Sequence, residues 1–308
     1  MSFGESIWTP FVWVVNFMGP IYWTVAITVL LFAWLFPKTL WVKCLGTILV
    51  VLVFGYLPIT WGLHDYREKT KSAATAAAAK ALYESRCKGA GEKIYRKVSG
   101  VDGIFLMKLR PEGVNFQDQF ALNDPYGADF DGEAYPRSFL RGHYIYPFPL
   151  PLGWPPRTGY LYVDAIDKKD GLRYRYTGYR KADPAPFADP GSTIFISDKM
   201  LTKVTPPRYG VIYDDISTRE DRKYWIAGSS LRVVDMETKE VIAERIGYMI
   251  DLGQGSNSGG RSPWGFAADT ACPGFDRKPG RLEKYRGFSA QIYQTLDFVE
   301  KVLIPTGE

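Results

Sequence analysis

Histidine occurs only twice in the 308 residues, as His64 and His143, and cysteine three times, as Cys44, Cys87 and Cys272. That scarcity excludes a good deal of chemistry. A zinc site of usual composition gathers Cys, His or carboxylate ligands at close spacing, which one domain histidine and two distant cysteines do not supply. A Ser–His–Asp arrangement would have to use His143, yet no G-x-S-x-G elbow is present, because serine stands two residues before Ser258 where glycine belongs. The glycine-rich GQGSNSGG of residues 253–260 lacks the Gly-Lys-Ser/Thr that closes a phosphate loop and reads as a flexible surface loop. No cofactor or metal is expected.

Charge is the second absence. Between residues 6 and 37 there is no Asp, Glu, Lys or Arg, and after Lys38 and Lys43 a second uncharged run covers residues 44–63. Each run is long enough to cross a bilayer core of roughly 30 Å at about 1.5 Å per residue. Trp8, Trp13, Trp23, Trp41, Tyr56 and Trp61 include several rings near the ends of the runs, where amphipathic aromatics favour the headgroup region. A cleaved signal peptide is a poor match, since Glu5 is the sole charge before the first run and no A-x-A pattern follows it. The expectation is an anchor of two transmembrane helices over residues 1–63, with the lipid bilayer as one partner. Gly19-Pro20 leaves open whether the first helix begins near Ile21 or spans with a kink.

Of 38 basic and 33 acidic side chains, only Glu5, Lys38 and Lys43 precede residue 64, so the remainder is close to neutral. That argues against a nucleic-acid partner, which calls for a concentrated basic face. Basic residues near the span ends point both ways. Arg67, Lys69, Lys71 and Lys80 favour a cytoplasmic domain, whereas Lys38 and Lys43 after the first helix favour an external one. Cysteine usage breaks the tie: Cys87 and Cys272 are the only pair beyond the anchor, and a disulfide between them would persist only in an oxidising compartment. The large domain is therefore expected to be extracytoplasmic, periplasmic if the chain sits in a bacterial inner membrane.

What is plentiful is alanine. The stretch LHDYREKTKSAATAAAAKALYESRC of residues 63–87 has almost no large apolar stripe, but alanine has the highest helix propensity. Residues 64–87 are expected to form a helical stalk, a spacer; an alternative is close helix contact in an oligomer.

Residues 88–308 read as an α+β domain with a mainly antiparallel sheet and a C-terminal helix. VDGIFLMKLRP, RYGVIYDDIS, and the pair KYWIAGSSLRVVD and EVIAERIGYMID around METK read as strands. Two more strands are expected over residues 159–164 and 172–179, joined through DKKDG with Gly171 free to take positive φ, and a short helical piece over residues 92–98. Ile292, Leu296, Val299 and Leu303 recur at helical spacing, so the last helix should dock one face. Residues 115–154 should form a long irregular excursion. Its Asp124, Asp129 and Asp131 do not make a calcium loop: aligning Gly132 with the required glycine puts Gly127 and Ser138 where oxygen ligands of the EF-hand belong. YIYPFPLPLGWPP alternates proline with bulky groups, so Tyr146, Phe148 and Trp154 either cover the sheet or present a partner-binding surface. Asp214, Asp215, Glu220 and Asp221, interleaved with Arg219 and Arg222, read as a solvated turn with local ion pairs, or as part of the same interaction surface.

KALYESRCKGAGEKIYR, together with the run RYGVIYDDISTREDRKYWIAGSSLRVVDMETKEVIAERIGYMIDLGQGSNSGGRSPWGF, resembles an uncharacterised family of proteobacterial membrane-anchored proteins, over most of residues 80–304. The family has no established activity, so the resemblance implies a bacterial envelope setting and no residue roles. The functional expectation is a membrane-tethered interaction protein that binds another envelope protein, in its most specific form an immunity-type inhibitor of an envelope-targeting toxin. The alternatives are an envelope enzyme or substrate-binding accessory using Asp214 and Glu220, and a scaffold subunit of a membrane complex. No catalytic residue is assigned.

Overall fold

The computed structural model describes residues 9–111, 118–121, 124–127, 130, 132–144, 157–185, 187, 191–277 and 285–307. The chain divides into two compact units, Met1–Ala74 and Thr75–Glu308. Two helices open it: α1 (Thr9–Leu35), which continues through Pro20, and α2 (Leu40–Cys87).

Within the first unit the two helices meet through small residues. Ala26 is buried, a Cβ on Gly46 would lie against Ala33, and the Tyr22 hydroxyl donates to the Phe54 carbonyl at 2.5 Å. Leu45, Leu49, Leu52 and Ile59 on α2 face outward with nothing over them. Among the described residues α2 is the one helix long and apolar enough to cross a membrane; Gly19–Leu35 is a shorter apolar helix. The expectation of two full spans is thus narrowed to one such helix.

The second unit is built on an eight-stranded mixed sheet. Its strands are β1 (Gly91–Ile94), β3 (Gly103–Leu106), β4 (Tyr162–Ile166), β5 (Arg173–Ala182), β6 (Thr193–Leu201), β7 (Tyr209–Asp215), β8 (Ile226–Asp235) and β9 (Glu240–Ile250). They lie in the order β1-β9-β8-β7-β3-β4-β5-β6. β10 (Asp276–Arg277) and β11 (Tyr285–Arg286) form a separate antiparallel pair, and β2 (Val98–Val101) pairs in parallel with the C-terminal strand β12 (Leu303–Pro305).

Consecutive strands account for most antiparallel neighbours, and among the described residues β1 on β9 is the one antiparallel pair in this sheet made by strands distant in the chain. METK turns β8 into β9, and Gly171, at φ 72°, closes the turn into β5. The exception is β3, parallel to both β4 and β7. Parallel neighbours need a crossover of a dozen or more residues, and residues 107–161 between β3 and β4, among which α3 (Ala134–Ser138) lies, supply it. All four residues of β3 are buried, the burial expected of a strand covered on both faces.

One sequence expectation fails here. Residues 91–94 form edge strand β1 instead of the first turn of a helix. Pairing with β9 sets Glu92 opposite Arg245 and Lys93 opposite Glu244, two cross-strand charge pairs that a short helix would forgo.

After the short helices α4 (Arg219–Lys223) and α5 (Pro263–Ala267), the expected C-terminal helix is present as α6 (Phe288–Gln291) and α7 (Gln294–Val302). Leu296, Val299 and Val302 share one core with Val163, Val211, Leu231 and Val233. Side chains alternate across a strand, so Ile226 and Ile250, paired in register, lie on the opposite face from Leu231 and Val233. That opposite face receives the end of α2. Ala79 is buried there with Ile226 and Ile250, and Leu82 and Tyr83 flank it. The stalk is therefore a spacer only in part, because its last turns are a packed element whose contact stripe is one alanine, one leucine and one tyrosine.

Candidate functional site

The end of α2 is tied to the second unit by more than apolar contact. Cys87 and Cys272 form a disulfide with their Cα atoms 5.7 Å apart. Cys272 in turn exchanges two backbone hydrogen bonds with Tyr248 of β9, at 2.9 and 2.7 Å. Arg86 Nε donates to Asp221 Oδ1 at 2.9 Å, and that hydrogen bond raises the guanidinium pKa further. Burial pushes the Tyr83 hydroxyl up to about 12, so it stays protonated and donates to the Thr270 carbonyl.

Asp221 belongs to the stretch expected to be a solvated turn, and the structure corrects that reading. Thr218 caps α4 (Arg219–Lys223): its hydroxyl accepts from the Asp221 N–H, while the Asp221 carboxylate accepts from the Thr218 N–H at 2.8 Å. Asp221 and Arg222 are both fully buried. A capping box of this kind satisfies two orphan amides at a helix start, and here it also holds a carboxylate for Arg86. The pattern Thr-x-x-Asp was legible in the sequence; that α4 would be covered was not.

The other acidic candidates part company. Asp214 is half exposed and bound by Arg232 at 2.5 Å, with Lys108 at 3.7 Å. Glu220 is exposed on α4. Asp215 turns inward, pairing with Arg222 and accepting from the Asp124 N–H at 3.0 Å and the Ser217 N–H at 2.8 Å. Of the aromatic candidates, Tyr146, Phe148 and Trp154 lie outside the described residues.

Asp215 opens onto a buried polar cluster that sequence reasoning did not find. The Asp124 carboxylate accepts from Arg110 Nη1 at 3.0 Å, from the Ser229 hydroxyl at 2.9 Å and from the Gly127 N–H at 2.9 Å. Burial raises the Asp124 pKa, and burial lowers that of Arg222. Arg110 lies 4.0 Å over the Tyr213 ring and Arg222 5.0 Å over that of Trp264. A Cβ on Gly127 would strike Asp124 and Arg110, so the DPYG turn carries glycine where a carboxylate and a guanidinium close over it. The cluster is cross-linking, not catalytic in form, since each carboxylate is held by an arginine. Among the described residues no three His, Cys, Asp or Glu side chains gather as metal ligands.

The glycine-rich loop sits on the surface as expected, but its base is fixed. Buried Asp251 accepts from the N–H groups of Gly253 at 3.0 Å and Gly255 at 2.7 Å and pairs with Arg261. A cleft of ≈ 210 Å³ lies elsewhere, where β1, β9 and α7 meet, lined among others by Glu92, Arg245, Phe275, Gln294 and Lys301.

No family model, no curated protein and no solved structure matches this chain.

Proposed function

We propose that the chain is a membrane-tethered interaction protein of a bacterial envelope, with the unit Thr75–Glu308 on the extracytoplasmic side and another envelope protein as its partner. The observation that carries this reading is the junction at the end of α2. One helix runs from an uncovered apolar stretch to a disulfide and a buried ion pair that fasten it to the folded unit. Such a disulfide persists in oxidising compartments, and an uncovered apolar helix is stable in lipid, not in water. In this reading α1 is a second, shorter span, which places both termini on the same side.

The immunity-type inhibitor is the most specific form of the proposal. It is favoured over an envelope enzyme using Asp214 and Glu220 because Asp214 is paired with Arg232 and Lys108, while Glu220 stands exposed on α4 and neither lines the cleft. Fusions after Glu308 test the placement: a periplasmic phosphatase should be active and a cytoplasmic fluorescent protein dark. In the same cells, crosslinking of the full chain should recover a single envelope protein, encoded beside it if the role is immunity. A fluorescent cytoplasmic fusion, or a turnover activity abolished by Asp214→Asn with no protein recovered, would sink the proposal.

A further inference from the structure

The two edges of the eight-stranded sheet differ. β1 is 4 residues long and carries the charged Glu92 and Lys93, with Glu92 paired to Lys301. Short length and charge are the usual guards of a sheet edge. β6, at the other edge, runs for 9 residues, each paired with β5. Its ladder is framed by the Asp183 N–H donating to the Ser192 carbonyl at 3.0 Å and the Thr202 N–H donating to the Arg173 carbonyl at 3.0 Å. Residues of an antiparallel pair alternate between hydrogen-bonded and non-hydrogen-bonded positions, so Ile194, Ile196, Asp198 and Met200 turn their backbone groups toward β5. Phe195, Ser197, Lys199 and Leu201 turn theirs away. The Thr193 carbonyl accepts from Arg180, but among the described residues the outward groups from Phe195 to Leu201 meet no partner.

Side chains supply the second observation. Phe195 packs against the main core, so Ile194, Ile196, Asp198 and Met200 project from the opposite face. Asp198 is exposed between Ile196 and the 60 % exposed Met200, and among the described residues it has neither an ion pair nor a hydrogen bond. Its cross-strand neighbour is Thr177, and the diagonal Arg175 is committed to Asp164 at 2.7 and 3.0 Å. Lys199, on the core side, is held by Asp167 and Glu133. The edge therefore offers a row of free backbone groups with one unpaired carboxylate between apolar side chains. A second copy of β6 complements it poorly: centring a two-fold axis on Ile196, Ser197 or Asp198 sets Asp198 opposite Ile194, Ile196 or its own copy.

We infer that the outer edge of β6 is a docking site for an extended segment of a partner protein, which adds to the sheet as an antiparallel strand and places a lysine or arginine opposite Asp198. Main-chain hydrogen bonds to Phe195, Ser197, Lys199 and Leu201 give the affinity, and the side chains facing Ile196, Asp198 and Met200 give the selectivity. Apolar residues two places to either side of the base cover Ile196 and Met200. The inference rests on the reading of the chain as an interaction protein; its failure leaves that reading standing, because the fusion and crosslinking experiments do not involve β6.

The test uses the full chain in zwitterionic lipid nanodiscs, titrated calorimetrically with a short acetylated, amidated peptide of alternating valine and threonine whose second valine is replaced by lysine. A peptide with glutamate at that place is the control. The lysine peptide should bind saturably, and the glutamate peptide at least about fivefold more weakly. Ser197→Pro removes an outward N–H that the fold does not use, a position where an edge strand tolerates proline, and should weaken the lysine peptide at least about tenfold. Asp198→Lys should reverse the preference between the two peptides, and it decides the matter even where Ser197→Pro fails the check of fold by circular dichroism. Absence of saturable binding of the lysine peptide below about 1 mM would overturn the inference. So would equal binding to the native chain and a folded Ser197→Pro, an unchanged preference in Asp198→Lys, or a dimer of the native chain in light scattering that Asp198→Lys or Ser197→Pro dissolves.

Discussion

His143 is the one histidine of the second unit, and its role is read from what surrounds it. The ring lies 5.0 Å from Phe195 in an edge-on contact, and Nδ1 is buried without a hydrogen-bond partner. Burial first, and then Arg157, Arg137 and Arg180, lower its pKa to about 4. A base whose folded pKa lies below its unfolded value of about 6.5 refuses a proton that the unfolded chain accepts. Stability therefore falls as pH drops from about 6.5 toward 4, by on the order of 2–3 kcal/mol from this group. Urea unfolding of the native protein and of His143→Gln at pH 7, 6, 5 and 4 should show the native chain losing stability relative to the variant across that window. A constant difference would mean the ring is solvated. Asp235 acts in the same direction at lower pH: hydrogen bonds from Arg208 hold its carboxyl at about 2, with Arg96 and the Glu237 N–H also donating. Its contribution is complete above pH 4 and lost as pH falls toward 2. Asp235→Asn should cost about 2 kcal/mol at pH 7, and the gap from the native chain should narrow between pH 4 and 3.

At the scale of elements, the junction of α2 with the sheet concentrates three kinds of bond within a few residues. The disulfide closes a separation of 185 residues, for which chain-entropy reasoning gives about 5 kcal/mol before native strain. Arg86 and Asp221 add a charge-assisted hydrogen bond in which the carboxylate is fully buried. Removing Arg86 would leave that carboxylate with its cap bonds alone, so Arg86→Ala should destabilise by about 3 kcal/mol. Cys87→Ser/Cys272→Ser should lower the denaturant midpoint by an amount equal to about 3–5 kcal/mol. In the native chain, unfolded without reductant, neither Cys87 nor Cys272 should take up a thiol label. Labelling of both would show that the bond does not form in the cell. Ala79 is the apolar counterpart: it is buried where α2 meets Ile226 and Ile250, and a larger side chain there has no room without displacing the helix end.

For the whole molecule, the division into Met1–Ala74 and Thr75–Glu308 predicts separable behaviour. The second unit contains the complete sheet, both partners of the disulfide and the helix end that covers Ile226. A secreted fragment from Thr75 to Glu308 should fold, carry the disulfide and remain in the aqueous phase of a detergent partition, while the full chain enters the detergent phase. Its thermal midpoint should match that of the same unit in the full chain within about 3 °C. A fragment that aggregates despite the disulfide would show that the first unit covers apolar surface of the second.

Uncharged runs, alanine content and alternating strands were legible in the sequence because each is local: hydropathy, propensity and period depend on neighbours along the chain. The hairpin of β8 and β9, the strand β7 and the docked face of α7 were read on that basis; the pairing of Cys87 with Cys272, which no local signal carries, was read by elimination among three cysteines. Only the tertiary structure decided that residues 91–94 are an edge strand, since Glu92 and Lys93 gain their partners from β9. It alone turned DDISTRED from a surface turn into the buried seat of Arg86, and made β3 the parallel centre of the sheet. Arg110 with Asp124, and Arg245 with Gln294 and Glu92, stand far apart along the chain or in segments without period. A charge in sequence carries no sign of burial, because burial is set by what the rest of the chain folds over it.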